Sequence, residues 1–315
     1  MNASIGVCTI SAQKTIITKM SMKINQTVLM SDALNFSAEH PINPYYFDSK
    51  TDTSVAQAEH DSIQSALASA GVTIIEVPSP SESQDGVYTA NWALVRGNKA
   101  IPARLPNVRK AEEAYAREKL LELGKELIEV PEGLRFSGQG DALACGNYLF
   151  CGSGYRSDEA AQEFAANTLG YDRVQLQTIP QLDASDVPVV NPTSGWEDSF
   201  FYDIDLALSI IRHPSDGQPG LIAYCPEAFT EKSQAILAEV TGDGKEIEAI
   251  HVSLTEAREA FACNLVSTGE TVVMGNGAPE LKSALESRGL TVLTPHVREL
   301  SKGGGYIRCT SLTLD

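Results

Sequence analysis

Gly303-Gly304-Gly305-Tyr306-Ile307-Arg308-Cys309-Thr310 is the stretch from which the fold and the chemistry of this chain are best worked out. Three consecutive glycines lose much backbone entropy on folding and have no side chains to pack, which is typical of a tight turn or of close approach to a ligand. A β-rich run over residues 306–314 follows, so the turn is predicted to place Cys309 at the start of a terminal strand. This position suits an exposed nucleophilic thiol. The alternative is a small buried hydrophobic residue, because free cysteine is among the most buried residue types.

Length and charge narrow the class of protein. The chain has 315 residues, 43% of them hydrophobic and 21% charged, enough for two domains or one large α/β domain. Its net charge of −17 argues against nucleic acid and against an anionic membrane as partners, and favours a small cationic ligand. No apolar run approaches the roughly 20 residues that a membrane-spanning helix needs.

The cysteines indicate the redox compartment. No pair has CxxC spacing or the Cys/His spacing of a metal site, so we expect reduced thiols, a cytoplasmic protein, and neither metal nor cofactor. The six lie at positions 8, 145, 151, 225, 263 and 309.

Residues 1–22 are rich in Thr, Ser and Lys and lack arginine; we expect a disordered extension or an upstream start codon, with one domain over residues 23–315.

A unit of hairpin, helix and strand recurs along the chain. Its first full copy has strands near 87–95 and 99–103, a helix near 108–123 and a strand at 126–130. The pattern returns over residues 141–179, 200–252 and 262–293. A fifth unit would combine the two ends of the chain: strand 27–30, helix 54–70 and strand 72–77 together with the terminal run 306–314. Such a repeat predicts a closed, propeller-like α/β array in one domain, because closing the ring removes the sheet edges.

In such a ring, the loops before the hairpins converge on one axial cleft. Polar stretches open the second, third and fourth units at 88–91, 136–141 and 196–205; a further one at 154–158 follows the hairpin of the third unit, and 303–309 closes the fifth. We therefore expect a small-molecule site there.

Motifs within these stretches resemble a known superfamily. In order, they are Ile42-Asn43-Pro44, Thr89-Ala-Asn91, Gly138-x-Gly-Asp-Ala-Leu143, Tyr202-x-x-Asp-x-Ala-Leu208 and Gly303-Gly-Gly-x-x-x-Cys309. Together they resemble the guanidino-group modifying enzymes, or penteins, which include arginine deiminases, dimethylargininases, amidinotransferases and arginine dihydrolases. The resemblance covers about residues 23–314. It implies a fivefold pseudosymmetric α/β propeller and a cysteine that attacks a guanidinium carbon.

The resemblance also implies roles for individual residues. Cys309 matches the family nucleophile, and Asp205 matches an aspartate that holds guanidinium nitrogens. Arg156 matches an arginine that grips the substrate carboxylate. Asn91 lies where deiminases have a guanidinium-binding aspartate, and dihydrolases resemble this chain in having asparagine. Asp141 is expected either to contact substrate or to hold the turn before it by hydrogen bonding.

Two positions depart from the family pattern. Asp203 stands where the family has its histidine, the general acid and base, and Ser137 stands where it has an acid. Asp203 and Asp205, at i and i+2 on a predicted strand, should both face the cleft, where their repulsion could keep a proton available for transfer. Alternatively, the pair forms an anionic box for a cationic ligand. The histidines are expected to be structural or exposed, with His296 the least implausible substitute.

The sequence thus predicts a cysteine-dependent hydrolase of arginine or a modified arginine, with Cys309 and Asp203 catalytic and Asn91, Asp141, Arg156 and Asp205 binding substrate. A catalytically degenerate guanidine-binding protein and an amidinotransferase are the alternatives. Non-catalytic roles also stay open: Asn91 as a strand-end cap, Arg156 as a surface charge, and Asp203 and Asp205 as a solvated strand face. The chain could form a homo-oligomer.

Overall fold

The computed structural model describes residues 23–46, 50–215 and 217–315, so the expected N-terminal extension lies outside the described residues. The strands in this part of the chain are short and separated by turns. They are β1 (Thr27–Ser31), β2 (Thr73–Val77), β3 (Ala93–Arg96), β4 (Lys99–Pro102), β5 (Glu126–Leu127), β6 (Ala142–Cys145), β7 (Tyr148–Gly152), β8 (Asp172–Leu176), β9 (Leu208–Arg212), β10 (Gly220–Tyr224), β11 (Ile247–His251), β12 (Val266–Ser267), β13 (Thr271–Val273), β14 (Thr291–Leu293) and β15 (Leu312–Thr313).

The α-helices lie between the second and third strands of each unit, with one short additional helix. They are α1 (Thr53–Ser69), α2 (Lys110–Glu122), α3 (Glu159–Leu169), α4 (Glu231–Val240), α5 (Leu254–Glu259) and α6 (Pro279–Glu286). Side-chain oxygens of Asp52, Thr230 and Ser253 accept hydrogen bonds from the first-turn N–H groups of α1, α4 and α5. These caps explain why the helices begin there. No helix in the described ranges is long and apolar enough to cross a membrane.

The described strands form five three-stranded sheets, all built in the same way. In each, a central strand pairs antiparallel with one neighbour and parallel with the other, and a helix connects the parallel pair. Four sheets follow chain order: β3-β4-β5, β6-β7-β8, β9-β10-β11 and β12-β13-β14. The fifth, β15-β1-β2, joins the two ends of the chain, with Val28 opposite Thr313. The predicted fivefold repeat and the shared fifth unit are therefore confirmed.

Four predicted strands are wrong in their first part, where the chain turns before the strand that opens a sheet. In the fourth unit, residues 262–265 are not strand and β12 begins only at Val266. Residues 89–92 form a 3-10 turn before β3, and residues 204–206 form another before β9. Asp203 and Asp205 therefore do not share a strand face. The terminal run shortens to β15 because residues 306–310 turn, with Thr310 N–H donating to the Tyr306 carbonyl. Polar residues at these positions bond across the interior instead of extending a ladder.

The three glycines are explained by close packing. A Cβ at Gly303 or Gly305 would collide with the Tyr88 ring, and one at Gly304 would collide with the Asn43 side chain. Gly304 also has φ of +81°, which L side chains rarely adopt. The glycine turn therefore packs against the chain segments at 43 and 88, as close approach requires.

Candidate active site

Five polar side chains come just before the first strand of each hairpin, or before β15 in the shared sheet. They are Asn91, Asp141, Asp205, Asn264 and Cys309, and all are buried. The sequence predicted four of the five; Asn264 was missed. The turns before these strands aim the side chains inward, which brings residues more than 200 positions apart into one region.

Cys309 is held from two sides. Its thiol donates to Asp205 Oδ2 at 3.4 Å, and Asn264 Nδ2 donates to Sγ at 3.2 Å. The thiol is only 2% exposed, so the expected exposed cysteine is wrong. Residues from distant segments cover it: Asn43 Nδ2 donates to the Gly303 carbonyl and Tyr202 Oη to the Gly304 carbonyl.

Both departures from the family pattern lie beside Asn91. Asn91 Nδ2 donates to Asp203 Oδ2 at 2.7 Å, and the Ser137 side chain lowers the pKa of Asp203. The same Asn91 amide lies 2.9 Å from Ser137 Oγ. Asp203 and Ser137 thus form one local network with Asn91, and Asp203 Oδ1 has no hydrogen-bond partner among the described residues.

Arg109 supports this network from α2's side of the cavity and was missed by sequence analysis. Its Nη1 donates to Asn91 Oδ1 at 2.9 Å, while its Nε and Nη2 donate to the Glu112 carboxylate at 2.8 and 2.7 Å. The bond to Asn91 fixes which end of that amide faces Asp203. The i,i+3 spacing of Arg109 and Glu112 is too common on helical surfaces to have indicated a buried role.

Arg156 lies at the cavity wall and is 4% exposed, so the surface-charge alternative is wrong. Its Nη2 donates to the Ile42 carbonyl, and its guanidinium lies 5.1 Å from the Tyr202 ring centre and 5.6 Å from that of Trp196. Nη1 has no partner among the described residues. A buried guanidinium with a free donor is well suited to receive an anionic group.

Asp141 is buried but does not line the cavity. Its Oδ1 accepts the Ile204 N–H at 3.0 Å, and the Ser157 side chain lowers its pKa against the larger rise caused by burial. It therefore holds the turn that carries Asp203 and Asp205, rather than its own turn at Gly138–Gly140. Substrate contact by Asp141 stays a prediction.

Burial dominates the electrostatics. Loss of solvation raises the pKa of Asp203, although the Arg156 charge opposes the rise. Burial, and then repulsion from Asp203, raises the pKa of Asp205 well above its ordinary value. Burial, and then the neighbouring Asp205, likewise raises the pKa of the Cys309 thiol. The empty site therefore favours a neutral thiol over a thiolate.

None of the five histidines lines the cavity. His296 is exposed and lies 3.2 Å from Asn276, so it does not replace the family histidine. His60 is buried in α1, His213 contacts the Ala144 carbonyl, and His251 contacts Tyr224. Within the described ranges, no group of three or more His, Cys, Asp or Glu side chains is arranged to hold a metal ion.

The cavity itself is narrow, with a volume of about 10 Å³. Its wall includes Asn91, Arg109, Arg156, Asp203 and Cys309. This volume is close to the space of one water molecule. Side chains along the wall must therefore move apart before any larger ligand enters.

Comparison with known proteins shows which enzymes the chain resembles. The chain matches no protein-family model. It is 28% identical over 243 residues to the bifunctional arginine dihydrolase/ornithine cyclodeaminase AgrE of Nostoc sp., covering 76% of the chain but only 31% of that relative. It is also 28% identical over 282 residues to the N(G),N(G)-dimethylarginine dimethylaminohydrolase of Mycobacterium tuberculosis, covering 89% of the chain and 82% of the relative.

Solved structures agree. The N-terminal domain of ArgZ, a cyanobacterial arginine dihydrolase, superposes with a TM-score of 0.78 at 26% identity, covering 91% of this chain and 97% of that one; it was crystallised as a cysteine-to-serine variant bound to substrate. The same domain covalently bound to a reaction intermediate gives 0.77 at 25% identity, covering 92% and 97%. The resemblance to guanidino-group modifying enzymes is confirmed. The chain is a homologue of hydrolases that act on guanidino C–N bonds.

Proposed function

We propose that this chain is a cysteine-dependent hydrolase of arginine or a modified arginine, which acts through an amidino adduct on Cys309. The observation that carries the proposal is the set of unpartnered groups at the site. Among the described residues, Asp203 Oδ1 and Asp205 Oδ1 are buried acceptors without donors, and Arg156 Nη1 is a buried donor without an acceptor. Asp203 and Arg156 line the cavity, whereas Asp205 is next to it through its contact with Cys309 Sγ. A guanidinium supplies N–H donors and an α-carboxylate supplies acceptors, so arginine satisfies both needs at once.

Substrate binding would also activate the nucleophile. Asp205 lies 3.4 Å from Sγ and opposes a second negative charge there. A guanidinium bound to Asp205 neutralises that carboxylate and places a positive charge beside the sulfur. Both effects lower the pKa of the Cys309 thiol towards its reactive, ionised form.

The reaction then proceeds in two balanced halves. The Cys309 thiolate attacks the guanidino carbon and forms a C–S bond; a C–N bond breaks, and the leaving nitrogen departs as an amine after it gains a proton. Water next attacks the same carbon and loses a proton as the C–S bond breaks, which regenerates the thiolate. Release of the terminal nitrogen yields a ureido product and ammonia. A second round of hydrolysis at the same carbon would remove a second ammonia and leave a carbamate, which loses carbon dioxide to give the free amine, as in an arginine dihydrolase.

Asp203 is our candidate for the proton carrier, in the place of the family histidine. Its raised pKa keeps a protonated carboxyl accessible nearer neutral pH than an ordinary aspartate would. Asn91 holds Oδ2, which leaves Oδ1, without a partner among the described residues, to exchange a proton with substrate. Such a group typically contributes about 10²–10⁴-fold to the rate.

The proposed architecture is a closed ring of the five sheets in one domain over residues 23–315. Support comes from a second cavity of about 370 Å³ that does not include Cys309. Residues of β3, β6, β9 and β15, together with Leu265 just before β12, line this one cavity. The strands that open four of the five sheets, and a residue just before the strand that opens the fifth, therefore line one common cavity, which supports closure of the ring.

The second candidate is a guanidine-binding protein without turnover. It is favoured by the absence of a histidine from the described cavity wall and by the raised thiol pKa. Amidino transfer would differ only in the acceptor that attacks the adduct.

Product analysis separates these functions. The purified chain should release ammonia from arginine, dimethylamine from an asymmetrically dimethylated arginine, or both, and Cys309→Ser should abolish release while binding by calorimetry persists. Binding without release by the parent protein would select the second candidate. Turnover that survives in Cys309→Ser would refute the covalent scheme.

A further inference from the structure

Asn264 occupies the one position of the fivefold set that sequence analysis left without a role. It precedes β12 as Asn91 precedes β3, Asp141 precedes β6, Asp205 precedes β9 and Cys309 precedes β15. The side chain is completely buried. By the pattern of the repeat, its amide points to the same axial region as the other four.

The Asn264 amide contacts the nucleophile at two atoms. Nδ2 donates to Cys309 Sγ at 3.2 Å, and Oδ1 accepts the Cys309 backbone N–H at 3.1 Å. Nδ2 also lies 3.3 Å from the Asp205 carbonyl. Bonds at both ends fix the orientation of the amide, because a flipped amide would direct its oxygen at the sulfur and its NH₂ at an N–H donor.

An N–H donor acts on sulfur differently in its two ionisation states. A neutral thiol is a weak acceptor, whereas a thiolate is charged and accepts a stronger hydrogen bond. The donor therefore stabilises the ionised form preferentially. This contact opposes the effect of Asp205, which accepts the thiol proton and stabilises the neutral form.

We propose that Asn264 is the hydrogen-bond donor that stabilises the Cys309 thiolate, and that it holds the nucleophile in place through the Cys309 N–H. The reactive role of the thiolate rests on the function proposed above; the effect of Asn264 on thiol ionisation does not. The amide is a hydrogen-bond donor already fixed in place, so it need not rearrange when negative charge forms on the sulfur.

Other groups also face Cys309 and set the background for this effect. Asp203 and Asp205 lie on the turn before β9, and Arg308 on the turn of the cysteine itself. Tyr45, Tyr88 and Tyr202 complete the titratable surroundings. All of them remain in an Asn264 variant, so a change in thiol ionisation reports the amide.

The test measures Cys309 alkylation by iodoacetamide from pH 6 to 10, followed by the mass of the peptide that contains this residue. Asn264→Ala should move the midpoint of the pH–rate profile upward by about one unit, which corresponds to about tenfold less thiolate. The midpoint, not the absolute rate, is the readout, because removing the side chain also opens access to the sulfur.

Asn264→Asp separates the two contacts. It keeps an acceptor for the Cys309 N–H but replaces the donor with a carboxylate, so its midpoint should rise at least as far as that of Asn264→Ala. Asn191→Ala is the matched control, since Asn191 is also buried and donates to an aspartate at 3.0 Å, but outside the cavity. It should leave the midpoint unchanged.

Unshifted midpoints in the Asn264 variants would overturn the inference, and Asn264→Asp decides the matter if Asn264→Ala does not fold. An upward shift in a protein that turns over no guanidine would support this inference while refuting the proposed function. Normal turnover of a guanidine with no shift in the midpoint would refute this inference and support the proposed function.

Discussion

Replacing Asp205 by asparagine should separate ligand binding from stability. Asp205 is completely buried, and burial followed by repulsion from Asp203 raises its pKa. A carboxylate whose pKa is higher in the folded state than in the unfolded chain costs stability when ionised. The free energy of unfolding of the parent should therefore fall as the pH rises from about 4 through the raised pKa of Asp205. The asparagine variant should lose Asp205's part of this fall.

Binding should change in the opposite sense. Asp205 Oδ1 has no partner among the described residues and is the atom proposed to accept from a guanidinium; loss of a charge-assisted hydrogen bond costs about 1.5–3 kcal/mol, or roughly 10–100-fold in affinity. Asp205→Asn should thus bind arginine at least about tenfold more weakly, while its free energy of unfolding at pH 8 equals or exceeds that of the parent.

Urea unfolding at pH 5 and pH 8 measures the first effect, and calorimetric titration in the Cys309→Ser background measures the second. Asp172→Asn is the control, since Asp172 is exposed. A variant that binds arginine like the parent would refute the assignment of Asp205. A variant less stable than the parent at pH 8 would refute the claim that its burial is costly.

Three further outcomes are expected. Arg156→Gln should weaken arginine binding, but should affect agmatine, which lacks the carboxylate, much less; equal losses for both ligands would refute carboxylate recognition. Ser137→Ala should shift the pH–rate profile of turnover, because the Ser137 side chain favours the ionised form of Asp203 and its loss raises that pKa further; an unchanged profile would exclude Asp203 as proton carrier. His60 is buried, both its ring nitrogens lack partners among the described residues, and burial lowers its pKa to about 4. The free energy of unfolding should therefore decrease as the pH falls from about 6.5 to 4. His60→Met should flatten this part of the pH–stability curve measured by urea unfolding, and an unchanged curve would contradict the assignment.

The repeat was predictable because its signals are local. Gly97-Asn98 and Gly146-Asn147 mark hairpin turns between apolar runs, and helices follow at regular intervals. Even the sheet shared by both chain ends could be predicted by counting strands, since the N-terminal unit lacks the first strand of the repeat and the terminal run supplies it. The turns before the hairpins were not predictable in this way, because apolar neighbours of Asn91 and Asp205 resemble strand residues.

The site was predictable in composition but not in its contacts. The motifs bring Cys309, Asp205, Asp203 and Asn91 into one region. Burial of the thiol could not be foreseen, because it depends on distant covering residues such as Tyr202.

Two missed residues differ in what the sequence offered. Asn264 could have been found by aligning the fourth unit with the other four, since Asn264-Leu-Val matches Asp205-Leu-Ala. Arg109 gave no such signal, because its role depends on a hydrogen bond to Asn91 from another element.

Intact-mass spectrometry of the protein during turnover of arginine tests the central claim most directly. The account predicts a species heavier by arginine less one ammonia, removed by hydroxylamine or on completion of turnover, located on Cys309 by peptide mapping and absent in Cys309→Ser. Ammonia release without any adduct, or an adduct on another residue, would contradict it.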